Sequence, residues 1–433
     1  MKTTTYALLL IGLAALTGCE KPYVAEFEPN MVLAELVSMS VEEPMDQALA
    51  ETQTALTRLF GTPDDPKLPD FLLEDPDLGT LVSMDNLVAA SGSPSEQGRG
   101  LYRQHCSTCH GITGNGRGTT AALLDPYPRD YRMGKYKFKS TRRGSKPLRE
   151  DLHFAITHGL DGTAMVAIPE LNKNPEDVEA LIDYVMYLTW RGEVERALLE
   201  EAELIDFAAG ETLFDNAMVD KYLQKYKDDF DPETLTDEAQ IEEYEMFAEQ
   251  WEFIQDLTFG AVEGWLDAED AVVEVPEPED VPVPATIDEV VAAAKAPGDS
   301  PLKQSIQRGK ELFITERAAC AKCHGPKGWG DGTNKDYDDW TKDWTLQRGI
   351  DPTDEAAQIP LIARGVLPPR LIKARDFRQG LYRGGADPEL LYLRIAAGID
   401  GTPMPAASLE PNQIWDLVNY IRSLREDAPM SIQ

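Results

Sequence analysis

Cysteine and histidine are both scarce in this 433-residue chain, with five of each. The cysteines are Cys19, Cys106, Cys109, Cys320 and Cys323, and each falls in a recognisable short motif, so none is left over to build a structural disulfide. A disulfide-stapled secreted scaffold is thereby excluded. Beyond the N-terminus, long apolar runs are also missing, so no later stretch has the length of a transmembrane helix. Basic residues are few: 41 Lys and Arg stand against 76 Asp and Glu, for a formal net charge of −35. That imbalance repels nucleic acid and anionic lipid. It suits either a solvated acidic surface or docking onto a basic partner.

The apolar run at the N-terminus is a targeting segment. Lys2 supplies the positive charge, and Tyr6 to Leu16 form a core too short to span a bilayer. It ends in Leu16-Thr17-Gly18-Cys19, which resembles a bacterial lipoprotein cleavage box. That resemblance implies removal of residues 1–18 and lipidation of the Cys19 thiol, leaving a soluble body tethered by acyl chains. The expected location is the bacterial cell envelope, on the periplasmic side.

Length predicts more than one domain, and an internal repeat shows where they lie. His110-Gly111-Ile112-Thr113-Gly114-Asn115-Gly116-Arg117-Gly118 matches His324-Gly325-Pro326-Lys327-Gly328-Trp329-Gly330-Asp331-Gly332, with every glycine aligned. Arg129-Asp130-Tyr131 matches Arg375-Asp376-Phe377. Gly159-Leu160-Asp161-Gly162-Thr163-Ala164-Met165 matches Gly398-Ile399-Asp400-Gly401-Thr402-Pro403-Met404. Each copy ends in a run with helical pattern and an early proline, from Pro175 and from Pro411.

The expected division is a signal peptide at 1–18, an acidic extension at 19–90, a first unit at 91–194, an acidic helical insert and linker at 195–300, a second unit at 301–427, and a tail at 428–433. The extension carries one clear helical run, near Met45 to Phe60, and either packs on the first unit or holds it away from the membrane. In the insert, Glu195 to Phe207 and Glu238 to Leu257 read as helices. Tyr244, Phe247, Trp251, Phe253 and Trp265 need burial, against one of the two units or a partner. Residues 275–284, with four prolines, read as a stiff extended linker.

Cys106-Ser107-Thr108-Cys109-His110 and Cys320-Ala321-Lys322-Cys323-His324 have the Cys-x-x-Cys-His spacing of c-type haem attachment. Two thiols on one tight turn each add to a haem vinyl group, and the adjacent imidazole reaches the iron. A zinc site would need four ligands pooled from distant copies. A redox dithiol leaves the histidines unexplained. The expected cofactors are therefore two covalently bound haem c groups. An electron-carrying iron needs a sixth ligand, and Met165 and Met404 are the candidates, because a soft thioether favours Fe(II). Core filling is the ordinary role of methionine. His158 and His153 compete with Met165, whereas the second unit holds no histidine but His324. His105 adjoins Cys106 too closely to ligate.

On these motifs both units resemble class I cytochrome c domains, in particular those of the haem-bearing subunit of cbb3-type oxidases. The resemblance implies a mainly α fold, with two tandem haem domains separated by the acidic insert. It implies that the first and last helices of each domain cross through a glycine and an aromatic: Gly98 and Tyr102 facing Tyr184, and Gly309 and Phe313 facing Tyr420. Arg129 and Arg375 are candidates to pair with haem propionates, the rival being a surface salt bridge to an aspartate. A basic island of Lys135, Lys137, Lys139, Arg142, Arg143, Lys146 and Arg149 reads as a solvated loop, or else as a docking face for an acidic partner or for the acidic insert. The implied function is one-electron transfer between respiratory partners (a cytochrome, or an oxidase or reductase complex), without nucleic acid and without catalytic turnover of its own. A dihaem peroxidase and a fixed subunit of a larger complex are the alternatives.

Overall fold

Local signals start the helices where the pattern predicts them. Ser300 accepts from the Lys303 amide (3.2 Å) ahead of Pro301–Ile314, and Asp237 accepts from the Gln240 amide (3.1 Å) ahead of Glu238–Glu263. Pro175 and Pro411 occupy first-turn positions of Pro175–Glu201 and Pro411–Ser423, where a missing N–H costs nothing. The computed structural model describes residues 25–92, 100–226 and 230–426. Among these, strands are limited to two short antiparallel ladders, Gly61–Thr62 with Asp65–Pro66 and Asp336–Tyr337 with Leu371–Ile372. No helix among them is long and apolar enough to cross a membrane.

In the second unit, Pro301–Ile314 crosses Pro411–Ser423 at Gly309. A β-carbon there would overlap the Asp416 carbonyl oxygen and lie 2.8 Å from Cβ of Tyr420, so only glycine allows this approach. Phe313 meets Tyr420 edge-on at 5.3 Å, and Ser305 and Arg308 both bond the Asp416 carboxylate. In the first unit Tyr102 packs on Tyr184 at 4.9 Å. Gly98 lies outside the described residues.

The first unit's terminal helix is the hub of the larger half of the molecule. Residues 180–192 of Pro175–Glu201 are buried without interruption, so the helix is covered on all sides rather than along one stripe. The cover comes from the extension helices Met31–Val41, Asp46–Phe60 and Met84–Ser91 and from the insert helix Glu238–Glu263. Its buried charges are matched: Asp183 bonds the Ser83 amide, Asn86 and Arg149, while Glu195 bonds the Asn30 amide, Gln53 and Arg191.

The expected boundary at 194/195 is corrected, because it falls inside this continuous helix. The insert begins as an extension of the haem unit rather than as a separate body. The extension residues pack on the first unit, and Val32 and Leu36 also join Trp344, Ile350, Leu361 and Val366 of the second in one small core. The insert aromatics pack inside the molecule, Phe247 and Trp265 buried and the others half-buried: Trp251 and Phe259 flank Phe71, and Trp265 meets Tyr136 at 5.9 Å.

The proline-rich stretch is strapped along the terminal helix of the second unit. Proline carbonyls in extended chain have no helix or sheet partner, and here those of Pro276, Pro282 and Pro284 accept from Trp415 (3.1 Å), Asn419 (2.9 Å) and Arg422 (2.7 Å).

Gly309→Ala is expected to destabilise the second unit by about 3 kcal/mol through overpacking. Gly260→Ala, on an exposed helix face with open space around it, is expected to stabilise by about 0.5–1 kcal/mol. Denaturant unfolding of the two variants measures both.

Candidate haem sites

Each Cys-x-x-Cys-His motif forms one short helical turn, Ser107–His110 and Cys320–His324, closed by Gly111 and Gly325, both at φ 75°. The glycine loop that follows folds identically twice. Gly116 donates to the His110 carbonyl (2.9 Å) and Gly330 to that of His324 (2.8 Å). Gly118 donates to Cys109 (3.0 Å) and Gly332 to Cys323 (3.2 Å). Side chains at Gly118 or Gly332 would collide with the backbone of the cysteine turn.

This loop delivers one carbonyl to each imidazole. Nδ1 of His110 lies 3.2 Å from the Arg129 carbonyl oxygen, and Nδ1 of His324 lies 3.2 Å from that of Arg375. A carbonyl only accepts, so Nδ1 carries the proton and Nε2 keeps a free lone pair for a metal. Tyr131 and Phe377 stack on the two rings at 4.9 and 4.5 Å. Burial lowers His110 to about 4 and lowers His324 as well, which keeps both imidazoles neutral. The four cysteines are free and half-buried. Burial raises Cys106 to about 12 and Cys320 to about 11, so these thiols stay protonated until they react. Among the described residues no group of three or more His, Cys, Asp or Glu is arranged to hold a metal ion.

The methionines sit on matching turns. Leu160 donates to the Met165 carbonyl (2.7 Å) and Ile399 to that of Met404 (3.1 Å). The Met165 amide donates to Thr163 Oγ1 (3.1 Å), and that of Met404 to Thr402 Oγ1 (3.2 Å). His153 and His158 are exposed, with His158 stacked on Phe154 at 4.4 Å and bonded to Thr157.

The aspartates next to Arg129 and Arg375 are taken by other arginines, while Arg129 does pair with an aspartate farther along the chain, Asp338 (3.8 Å). Arg132 takes Asp130 through two nitrogens (2.9 and 2.7 Å), and Arg378 takes Asp376 likewise (3.0 and 2.6 Å). Arg129 instead lies on the Trp340 ring at 3.9 Å, with Asp338 at 3.8 Å. Among the described residues, the Arg375 and Arg383 guanidiniums make no hydrogen bond or ion pair, and Nε of Arg383 is buried without a partner. Lys137, buried beside Trp340 and 3.7 Å from Asp338, completes a cationic cluster between the two units. Burial and then mutual repulsion lower Arg383 to about 10 and push Lys137 well down. Asp338 and Asp125 offset these four cations, joined by Asp130 at Arg129 and Asp376 at Arg375, which are themselves paired with Arg132 and Arg378. Haem propionates are anions of the kind this cluster lacks, and the imidazole, thiol and methionine placements are repeated in both units. The residues present fit the cofactor.

The basic island is not solvated as a whole. Lys135 pairs with Asp339 (2.9 Å) and Lys139 with Asp400 (3.0 Å), both across the interface, and Arg142 bonds the Asp270 carbonyl of the insert (3.0 Å). The solvated-loop reading is corrected: the island meets carboxylates of the second unit and a backbone carbonyl of the insert. Cys19 lies outside the described residues. Asp338, Trp340 and Arg383 were missed by motif reasoning, and Lys137 was read only as part of the basic island. The first two lie on a segment present only in the second unit, where 51 residues separate His324 from Arg375, against 19 between His110 and Arg129.

The cytochrome c family model matches residues 95–189 and 306–425. The chain is a mainly helical protein with two tandem cytochrome c domains. Such domains carry covalently bound c-type haem and belong to electron-transfer proteins. A chain of the reducing HAO-like protein complex of Kuenenia stuttgartiensis is similar at 21% identity and a TM-score of 0.42, covering 75% of this chain and 94% of that one. At that level the likeness carries no argument. No curated protein matches the chain.

The Asp130 carboxyl, though raised by burial, is held below its usual range by Arg132. A depressed carboxylate contributes stability that is present above its unfolded value and lost as pH falls through the folded one. Asp130→Asn strands the buried Arg132 and is expected to cost about 3 kcal/mol at neutral pH. The gap to wild type should narrow as pH falls below the ordinary aspartate range of about 3.9, as followed by urea unfolding across pH.

Proposed function

We propose that the chain is a dihaem c-type cytochrome that passes single electrons between redox proteins on the outer side of the bacterial cytoplasmic membrane. One haem is attached at Cys106 and Cys109, with His110 and Met165 as iron ligands. The other is attached at Cys320 and Cys323, with His324 and Met404. Lipidated Cys19 tethers the body to a membrane. The observation that carries this reading is the duplicated geometry: cysteine turn, Nδ1-anchored imidazole and methionine turn recur bond for bond. When bound, the haem supplies a one-electron iron couple. The chain holds Nε2 of each histidine in its basic form, and the neutral thioethers of Met165 and Met404 would serve as the second iron ligands while Arg129, Lys137, Arg375 and Arg383 would neutralise propionates. Strong acidity outside the interface favours a basic partner at the point of docking.

Two haems per chain by mass and haemochrome assay, a far-red methionine–iron(III) band, and no carbon monoxide binding are the expected results. Carbon monoxide on one reduced haem would instead favour a peroxidase-like site in the first unit.

Cations near a haem favour the reduced state. Arg383→Gln is therefore expected to lower a midpoint potential by roughly 60 mV, the one-electron equivalent of about 1.4 kcal/mol. A spectroelectrochemical titration reads this shift.

A further inference from the structure

The two methionine turns have the same internal bonds but different surroundings. In the second unit, Asp400 is 5% exposed and its carboxylate accepts from Lys139 (3.0 Å), the Gly144 amide (2.9 Å) and the Gly401 amide (2.8 Å). The first two donors belong to the basic loop of the first unit. From the same loop, Arg143 donates to the carbonyl of Met404 itself (3.2 Å). The hold is reciprocal, since Arg394, on the helix that leads into this turn, donates to the Lys139 carbonyl (2.8 Å). Trp340 walls the turn at Gly401, where a β-carbon would overlap the indole, and its Nε1 bonds the Asp130 carbonyl of the first unit (3.0 Å).

The first unit's turn has no such hold. Asp161 occupies the position of Asp400 and is exposed, and among the described residues no hydrogen bond or ion pair reaches it. Gly162, Ala164 and Val166 are exposed too. Arg375 passes beside Gly162 without bonding the turn.

We propose that the basic loop of the first unit, through Lys139, Arg143 and Gly144, is a positioning element for Met404. It makes the second haem closed to outside ligands and leaves the first as the haem whose thioether a small nitrogen ligand displaces. This rests on the reading of Met165 and Met404 as axial ligands. Displacing a thioether requires its turn to move, and the free energy of releasing the turn adds to the cost of the exchange. A buried charge pair and two further cross-unit hydrogen bonds must be broken for Met404 to move, and among the described residues none for Met165. In the exchange an imidazole nitrogen bonds iron as the methionine sulfur leaves, with no change of oxidation state.

The test is imidazole titration of the oxidised full-length holoprotein, followed by loss of the far-red methionine–iron(III) band. Wild type is expected to respond in two phases of similar amplitude, the early one absent in Met165→Leu. Arg143→Gln, an exposed site that leaves the core intact, and the paired change Lys139→Met with Asp400→Asn should each move the late phase to about tenfold lower imidazole. The early phase should stay in place, and Asp161→Asn should move neither. A single phase in wild type overturns the proposal, as does a late phase that stays put in both clamp variants. A wild-type protein with two haems and no far-red band overturns the ligand reading itself, which is a different result from either.

Discussion

The bond between each histidine Nδ1 and a carbonyl of the Arg-Asp pair organises everything around the two haem sites. It sets the tautomer, orients the ring and fixes the direction in which Nε2 looks. To make it, the chain must turn back sharply after the cysteine motif and bring a residue 19 or 51 positions downstream against the ring. Close backbone approach at Gly118 and Gly332 and left-handed conformations at Gly116 and Gly330 permit that return. The stacked Tyr131 and Phe377 follow directly in the chain, and the next arginine removes the aspartate from competition. Among the described residues the Arg375 guanidinium is thereby left unpaired, while that of Arg129 turns to Trp340 and Asp338 of the other unit.

The interface between the units answers the Arg129 charge. Trp340 presents a ring face to Arg129 and an N–H to Asp130, and the acidic segment around it meets the basic island. Charges here are buried, so they matter more than the many exposed pairs on this acidic protein. The cluster remains richer in cations than in anions, which is the electrostatic state that a pair of propionate-bearing cofactors would balance. The same contacts join the units mechanically, so what surrounds one haem depends on residues of the other unit.

The extension, the insert and the linker serve the same end by burial. The Pro175–Glu201 helix, enclosed on all sides, ties extension, first unit and insert into one core. The helix at Met31–Val41 reaches on into the second unit. The proline stretch, which could have been a free spacer, spends its unpaired carbonyls on the second unit's terminal helix. A chain assembled in this way holds its two haem units in a defined relation.

The sequence by itself determined the repeat, the helical class, the attachment motifs and the candidate ligands. These depend on neighbours in the chain: cysteines on one turn, glycines where only positive φ fits, methionine in a short turn closed by a threonine. What ran one helix through an expected domain boundary and turned the basic island inward was not local. Acidic and basic stretches read alike whether they face water or each other, and which they do depends on the packing of segments hundreds of residues apart. Lys139 meets Asp400, 261 residues in sequence separate Arg143 from Met404, and among the described residues nothing bonds Asp161. The tertiary structure alone decided that two turns of nearly the same sequence should be held so differently, because burial of a charge pair is a property of the interface and not of either strand of sequence that enters it.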